Sequence, residues 1–208
     1  MTRNLPPARS REAPPARGAV LATAGAWLLG AVLLGVSGWL RALRPPAPQL
    51  LLAGITIALL VAGRSWPALR QFVRDVDLRA LVLFHLTRFV GFYFLALHAR
   101  GALPWAFAVP GGWGDIVVAG AALLLVLLVR PDTPQGRRAY LVWNVLGLLD
   151  IVAVVLTAAR LAFRDPASMG ALLELPLSLL LTFIVPLVVA THVWMLGRVA
   201  PGSAERRA

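Results

Sequence analysis

The chain has 208 residues, of which 59% are hydrophobic and only 14% are charged, whereas soluble domains carry about 25% charged residues. All twenty Lys or Arg positions are arginine, and the formal net charge is +11. The absence of lysine excludes Schiff-base cofactors such as retinal and pyridoxal phosphate, as well as lysine-dependent phosphate loops. The absence of cysteine excludes disulfides, thiolate metal sites and thioether-linked haem.

The N-terminal segment differs in composition from the rest of the chain. Residues 1–17 contain four prolines and four arginines without hydrophobic periodicity, which predicts a disordered cytoplasmic tail. Residues 18–40 then supply the roughly 20 apolar residues that a membrane helix needs, and Arg41 follows instead of a cleavage site. We therefore expect a retained first span. Residues 199–208 are expected to form a second short cytoplasmic tail.

Five further apolar runs follow the first span. They cover residues 49–63, 80–99, 115–129, 139–159 and 176–197. The run at 49–63 is short for a hydrocarbon layer about 30 Å thick. Prolines and glycines interrupt residues 100–114, which predicts an interfacial hairpin or a half-helix there. The sequence as a whole predicts an all-α, polytopic transmembrane helical bundle of about six spans over residues 18–198.

The distribution of arginine predicts how this bundle is oriented. Fourteen arginines fall in the two tails and in the joints after predicted spans two and four, while five fall on the opposite side. Because cytoplasmic loops retain basic residues, both termini are expected in the cytoplasm of a cell membrane, which we take to be a bacterial inner membrane. The arginines do not form one basic face, so we expect the lipid bilayer and not nucleic acid as the partner. Assembly into a homo-oligomer or into a larger membrane complex is also consistent with the sequence.

Ionisable side chains inside the predicted spans are the first candidates for function, because each costs at least about 2.5–3.5 kcal/mol to insert. With a rise of about 1.5 Å per residue, Arg88 lies roughly 13 Å deep in the third span and Asp150 roughly 16 Å deep in the fifth. We therefore expect an ion pair between Arg88 and Asp150. Such a pair either carries function or only fixes the packing of the helices.

Two histidines form the second candidate group. His85 in the third span and His192 in the sixth each lie about 9 Å from the cytoplasmic boundary, so the two rings can face each other. A facing pair would bind one haem b or a metal ion, or would relay protons. The alternative is that both rings are hydrogen-bonded only to carbonyl groups or to Asn144.

A third group lies toward the predicted outer side. His98, Asp115 and Glu174 fall near the outer ends of spans, close to the interrupted segment 100–114. Broken helices often line the binding sites of transporters, so these residues are candidates for an outer vestibule. The alternative is that they only solvate the ends of loops.

Three classes of function are consistent with these features. The chain is either a small transporter or channel component, a single-haem or metal-binding redox subunit, or an accessory subunit whose polar residues fix helix packing. No predicted extramembrane segment is long enough to fold as a soluble catalytic domain. We therefore do not expect an enzyme.

Overall fold

A computed structural model describes residues 15–199, and within that range the chain is helical and contains no strand. The predicted tails lie outside the described residues, except that residues 15–17 begin the first helix and residue 199 ends the last one. In chain order the α-helices are α1 Pro15–Val36, α2 Ala47–Ser65, α3 Pro67–Asp75, α4 Leu78–Phe84, α5 Gly91–Ala99, α6 Trp105–Leu128, α7 Pro134–Arg164 and α8 Val185–Val199. The segments Trp39–Ala42, His85–Val90 and Pro166–Leu173 are 3-10 helices, and Leu180–Ile184 is a π-helix.

Within residues 15–199, six helices are long and apolar enough to cross a membrane, so the predicted all-helical class with six apolar helices is confirmed. These candidate spans cover Arg17–Val36, Ala47–Ser65, Leu78–Ala99, Trp105–Leu128, Pro134–Arg164 and Leu180–Val199. The second one, which looked short in the sequence, reaches 19 residues. The fifth has 31 residues and is therefore about 46 Å long, more than a hydrocarbon layer requires.

The fourth candidate span begins at Trp105, so the prediction of a hairpin or half-helix over residues 100–114 is wrong. Pro104 is the N-cap, and the helix continues through Pro110. The glycines in this segment serve close packing instead of breaking the helix. A methyl group at Gly112 would lie 2.9 Å from the carbonyl oxygen of Gly91, so the backbones of α5 and α6 meet where neither residue has a side chain.

Two of the candidate spans contain an irregular segment. The third consists of α4 and α5 joined by the 3-10 segment His85–Val90, which carries two of the residues singled out in the sequence. The last begins with the π-helix Leu180–Ile184 immediately before α8. Short 3-10 and π segments inside longer helices often lie at functional positions. Both irregular segments are therefore candidates for a functional role.

The two ends of the bundle can be identified by contacts of the segments that connect the helices there. At the near end, where α8 ends, Arg198 Nη1 donates to the Val76 carbonyl at 2.7 Å. At the far end, Arg41 pairs with Glu174 at 3.4 Å. The near-end core consists of Leu81, Val82, Val118, Ala122, Leu125, Tyr140, Trp143, Met195 and Val199. The far-end core consists of Phe94, Leu103, Phe107, Ala108, Met169 and Leu177.

Buried polar side chains occupy the region between these two apolar clusters. We call them the polar layer, which consists of His85, Arg88, Asp115, Asn144, Asp150, Thr191 and His192; all but Asp150 are at most 5% exposed. They come from the third, fourth, fifth and last candidate spans. Because polar groups in an apolar interior must be matched with one another, this layer fixes how the four helices face each other.

Candidate functional site

Arg88 lies at the centre of the polar layer and is 2% exposed. Its Nε donates to Asp115 Oδ1 at 2.6 Å, Nη1 donates to the Gly147 carbonyl at 2.9 Å, and Nη2 donates to Asp150 Oδ2. The predicted ion pair between Arg88 and Asp150 is therefore confirmed. Asp115 is a second carboxylate on the same guanidinium, which the sequence analysis did not assign to it.

Asp115 is not at an outer vestibule, as predicted, but in the polar layer, where it is 3% exposed. The sequence did contain a signal for this position. Arg88 precedes the end of α5 at Ala99 by 11 residues, and Asp115 follows the start of α6 at Trp105 by 10. Both therefore lie about 15–17 Å from the far end. The signal was lost because the start of α6 was predicted too late.

The other two predicted vestibule residues do lie at the far end, but in separate contacts. The ring of His98 donates from Nδ1 to the Leu103 carbonyl at 3.1 Å and so stabilises the turn between α5 and α6. Glu174 is exposed and pairs with Arg41. Within the described part of the chain no hydrogen bond or ion pair joins His98 or Glu174 to Asp115. His98 is therefore separate from the other two, and Asp115 and Glu174 have no direct contact with each other.

Two glycines make room for the ion cluster. A methyl group at Gly147 would lie 2.7 Å from His192 Cε1 and 3.2 Å from Val118 Cγ1. A methyl group at Gly114 would overlap the Asp150 carboxylate, whose Cγ would be only 3.0 Å away. The missing side chains let α6, α7 and α8 approach closely.

The cluster around Arg88 contains more negative than positive groups. Asp115 and Asp150 supply two carboxylates and Arg88 supplies one guanidinium, so the fully ionised cluster has a net charge of −1. An uncompensated charge in a low-dielectric interior is strongly unfavourable. The arrangement therefore favours the uptake of one positive charge at this position.

His85 and His192 face each other beside the ion cluster. Their ring centroids are 4.2 Å apart at an interplanar angle of 47°. The Trp143 ring lies edge-on to His85 at 5.1 Å. Both imidazoles are completely buried. The two rings that the sequence placed at the same depth are thus in direct contact.

The hydrogen bonds of the polar layer assign one proton to each imidazole. Asn144 Nδ2 donates to the His192 carbonyl at 3.0 Å, so its Oδ1 accepts at 2.8 Å from His192 Nδ1. The Thr191 hydroxyl donates to backbone carbonyls of the preceding turn and therefore accepts from His85 Nε2 at 3.2 Å. His85 Nδ1 and His192 Nε2 remain as bare acceptors, and no group in residues 15–199 donates to them.

A haem between His85 and His192 does not fit this geometry. Two in-line bonds from iron to imidazole, each about 2 Å as in other metal–imidazole bonds, would separate the ligating nitrogens by about 4 Å and the ring centroids by more. The centroids are only 4.2 Å apart, which leaves no space for a porphyrin. Residues 15–199 also contain no group of three His, Cys, Asp or Glu side chains that could hold a metal ion.

A groove of about 920 Å³ connects the far end with the ion cluster. Its mouth contains charged side chains, its walls are mainly aliphatic side chains of α2, α7 and the last candidate span, and its base is polar. Representative residues are Arg41, Arg44 and Glu174 at the mouth, Leu52, Val155 and Leu181 on the walls, and Thr87, Arg88 and Asp115 at the base. The groove thus reaches the middle of the bundle from one side.

In the described part of the chain, the fold and the polar layer define a helical bundle with six apolar helices and an ion cluster at its centre. Within this class the chain belongs to the family described as Domain of unknown function (DUF8737), whose model matches residues 45–200. That range contains the polar layer and the candidate spans from α2 onward, whereas α1 lies outside it. No curated protein and no solved structure matches the chain.

Proposed function

We propose that this chain is a multi-pass protein of a bacterial cell membrane, with the near end in the cytoplasm. Six helices of sufficient length and apolar character support the first part. Large aliphatic side chains such as Leu124, Leu127 and Leu149 are 57–68% exposed, which is unfavourable in water and favourable in lipid. The sidedness follows from the fourteen arginines in the tails and near-end joints against five on the other side.

We propose further that the chain is a small transporter, or the membrane component of one, whose substrate enters from the far end. The observation that carries this proposal is the groove that leads from the far end to Arg88 and Asp115. A protein whose ion pairs only hold helices together needs no such route, whereas a transporter needs a path to a site inside the membrane. The aliphatic walls favour a substrate with an apolar body.

The irregular helices support the same function. The 3-10 segment contributes Thr87 and Arg88 to the base of the groove, and the π-helix contributes Leu180, Leu181 and Ile184 to its wall. Interrupted helices line substrate sites in several transporter folds, because their backbone can change conformation there. The groove is therefore bounded by the irregular segments of two candidate spans.

Access to the groove can be tested without background labelling, because the chain has no cysteine. The test variant is Thr87→Cys, whose site is exposed at the base of the groove. The control is Leu149→Cys on α7, adjacent in sequence to Asp150 and 61% exposed outside the groove. A charged, membrane-impermeant thiol reagent added to the outer side should label Thr87→Cys only, since a thiol surrounded by lipid stays protonated and unreactive.

Reaction of both thiols after denaturation shows that both variants were present and intact. If the impermeant reagent labels neither variant in membranes, the groove is closed to water and the accessory role is the better explanation. Labelling of Thr87→Cys from the cytoplasmic side alone would contradict the proposed entry side. Labelling of both variants to the same extent would mean that the reagent does not distinguish groove from lipid face, and would contradict the route.

A further inference from the structure

We propose that the polar layer binds one exchangeable proton, held among Asp115, Asp150, His85 and His192 opposite Arg88. The idea that this proton is the coupling ion of a transporter rests on the function proposed above. The proton site itself can be tested without a substrate. Two independent observations lead to it. One is the excess of carboxylates around Arg88, and the other is a pair of buried imidazole nitrogens without donors.

The carboxylates provide the place where the proton is held. Each of Asp115 and Asp150 uses one oxygen for Arg88, so the second oxygen of either one can carry a proton. Protonation of one carboxyl group makes the cluster neutral and leaves a single ion pair, which is the favourable state in a low-dielectric interior. An imidazolium next to Arg88 is repelled by the guanidinium, so at rest the proton belongs to a carboxyl group.

The histidines provide acceptors on the near-end side of the cluster. His85 Nδ1 and His192 Nε2 are fully buried, and no donor from the described residues reaches them. Buried polar atoms without a partner are rare in folded proteins and commonly mark a functional role or a bound water. Gly147 has no side chain, so His192 packs closely against the residue whose carbonyl accepts from Arg88; a methyl group there would lie 3.1 Å from His192 Nε2. The two groups are therefore neighbours.

Titratable groups reach the cluster from four of the candidate spans. The third candidate span contributes His85 and Arg88, α6 contributes Asp115, α7 contributes Asp150, and α8 contributes His192. The π-helix adds only the hydroxyl of Thr182, which donates to the Ser178 carbonyl. Among the described residues, the buried site thus contains one permanent cation, two carboxyl groups and two imidazoles.

These groups lie in order along the bundle. The two imidazoles lie toward the near end, the carboxylates lie in the middle, and the groove continues to the far end. In a transfer step the N–H bond of an imidazolium breaks as an O–H bond forms on a carboxylate, and the imidazole returns to its neutral form. No other reactant is required. A hard cation would need several oxygen ligands, which the imidazoles do not supply.

Infrared difference spectroscopy of the full chain in lipid nanodiscs tests the proposal. In the difference spectrum between about pH 5 and pH 9, wild-type protein should show the C=O stretching band of a buried protonated carboxyl group. This band should shift in D₂O. Charge balance predicts that Asp115→Asn and Asp150→Asn each abolish this band, because either change leaves one carboxylate for Arg88. The control Asp132→Asn, at an exposed carboxylate in the joint after α6, should retain it.

Matched histidine variants test the relay. His85→Gln keeps a donor for Thr191, and His192→Asn keeps a donor for Asn144, but each removes one bare nitrogen. The band should persist in both variants, and its exchange with deuterium should slow by about tenfold or more. An unchanged rate in both variants would show that the imidazoles do not carry the proton.

Three outcomes would overturn the proton site. The wild-type protein could lack the carboxyl band, the band could survive both aspartate variants, or it could disappear on addition of Na⁺ at constant pH, which would assign the site to a metal cation. Thiol labelling of Thr87→Cys separates this result from the proposed function. If Thr87→Cys is labelled but the carboxyl band is absent, the proposed transporter is retained and the proton site is rejected. If the band is present but Thr87→Cys is not labelled, the proton site is retained and the transporter is rejected.

Discussion

The indole Nε1–H of Trp27 donates to the carbonyl oxygen of Thr182 at 2.9 Å and so joins α1 to the π-helix of the last candidate span. In a regular α-helix that carbonyl would accept from residue 186, which is a proline and has no N–H. Trp27 supplies the donor that Pro186 lacks. The sequence places the other six tryptophans near predicted span ends, and this hydrogen bond explains why Trp27 is in the middle of one.

We expect Trp27→Phe to lower the free energy of unfolding by about 1 kcal/mol, because it leaves a carbonyl group without a donor in an apolar environment. In a Pro186→Ala background the cost should be smaller, because the new N–H can bond to Thr182 within the helix. Unfolding of the wild type, both single variants and the double variant in mixed micelles measures the coupling. Equal costs of Trp27→Phe in the two backgrounds would contradict this role.

The contact between α5 and α6 makes a second prediction. Gly112→Ala should destabilise the protein by about 1–3 kcal/mol, because its methyl group would lie 2.9 Å from the Gly91 carbonyl oxygen and 3.1 Å from the Leu95 side chain. Gly120→Ala in the same helix is the matched control, since no atom lies within 4 Å of its added methyl group. The control should be as stable as wild type or slightly more stable. Thermal unfolding in detergent compares the two, and similar losses would mean that helix propensity and not packing decides the effect.

A helix fixes some quantities by itself, and the features that depend on them could be predicted from the sequence. The rise per residue is constant, so depth alone predicted the pair of Arg88 with Asp150 and the level positions of His85 and His192. The start of α6 was predicted too late because prolines and glycines were taken as helix breakers, although Pro104 is an N-cap and Gly112 contacts Gly91. That one error moved Asp115 from the ion cluster to the surface.

Other features of the site depend on packing between distant segments and leave no local pattern. The groove exists because α2 and α7 are separated from each other where they flank the last candidate span. The sequence of neither helix encodes the distance between them. The acceptor role of Gly147 comes from a backbone carbonyl, so its residue type gave no indication of it. The bare nitrogens of His85 and His192 follow only from the orientation of Asn144 and Thr191.

Charge balance at Arg88 makes a third prediction. Arg88→Gln leaves Asp115 and Asp150 without their cation and should cost about 3–5 kcal/mol of stability. Asp150→Asn leaves one neutral ion pair between Arg88 and Asp115 and should cost much less. Combining Arg88→Gln with Asp115→Asn and Asp150→Asn removes all three charges and should recover most of the loss. Unfolding in mixed micelles gives the order, and a triple variant no more stable than Arg88→Gln would show that shape and not charge governs the cluster.

The histidine pair makes a fourth prediction, about colour. Protein purified from cells supplied with a haem precursor should show no Soret or α-band in a reduced-minus-oxidised absorbance spectrum, because ring centroids 4.2 Å apart leave no space for a porphyrin between His85 and His192. A known membrane cytochrome, expressed and purified in parallel, confirms that the cells supply haem. A spectrum that appears in wild type and is lost in both His85→Ala and His192→Ala would require the rings to separate in the cell, and would restore the redox subunit as the better function. If no haem spectrum appears, the two bare nitrogens of His85 and His192 remain available for a proton.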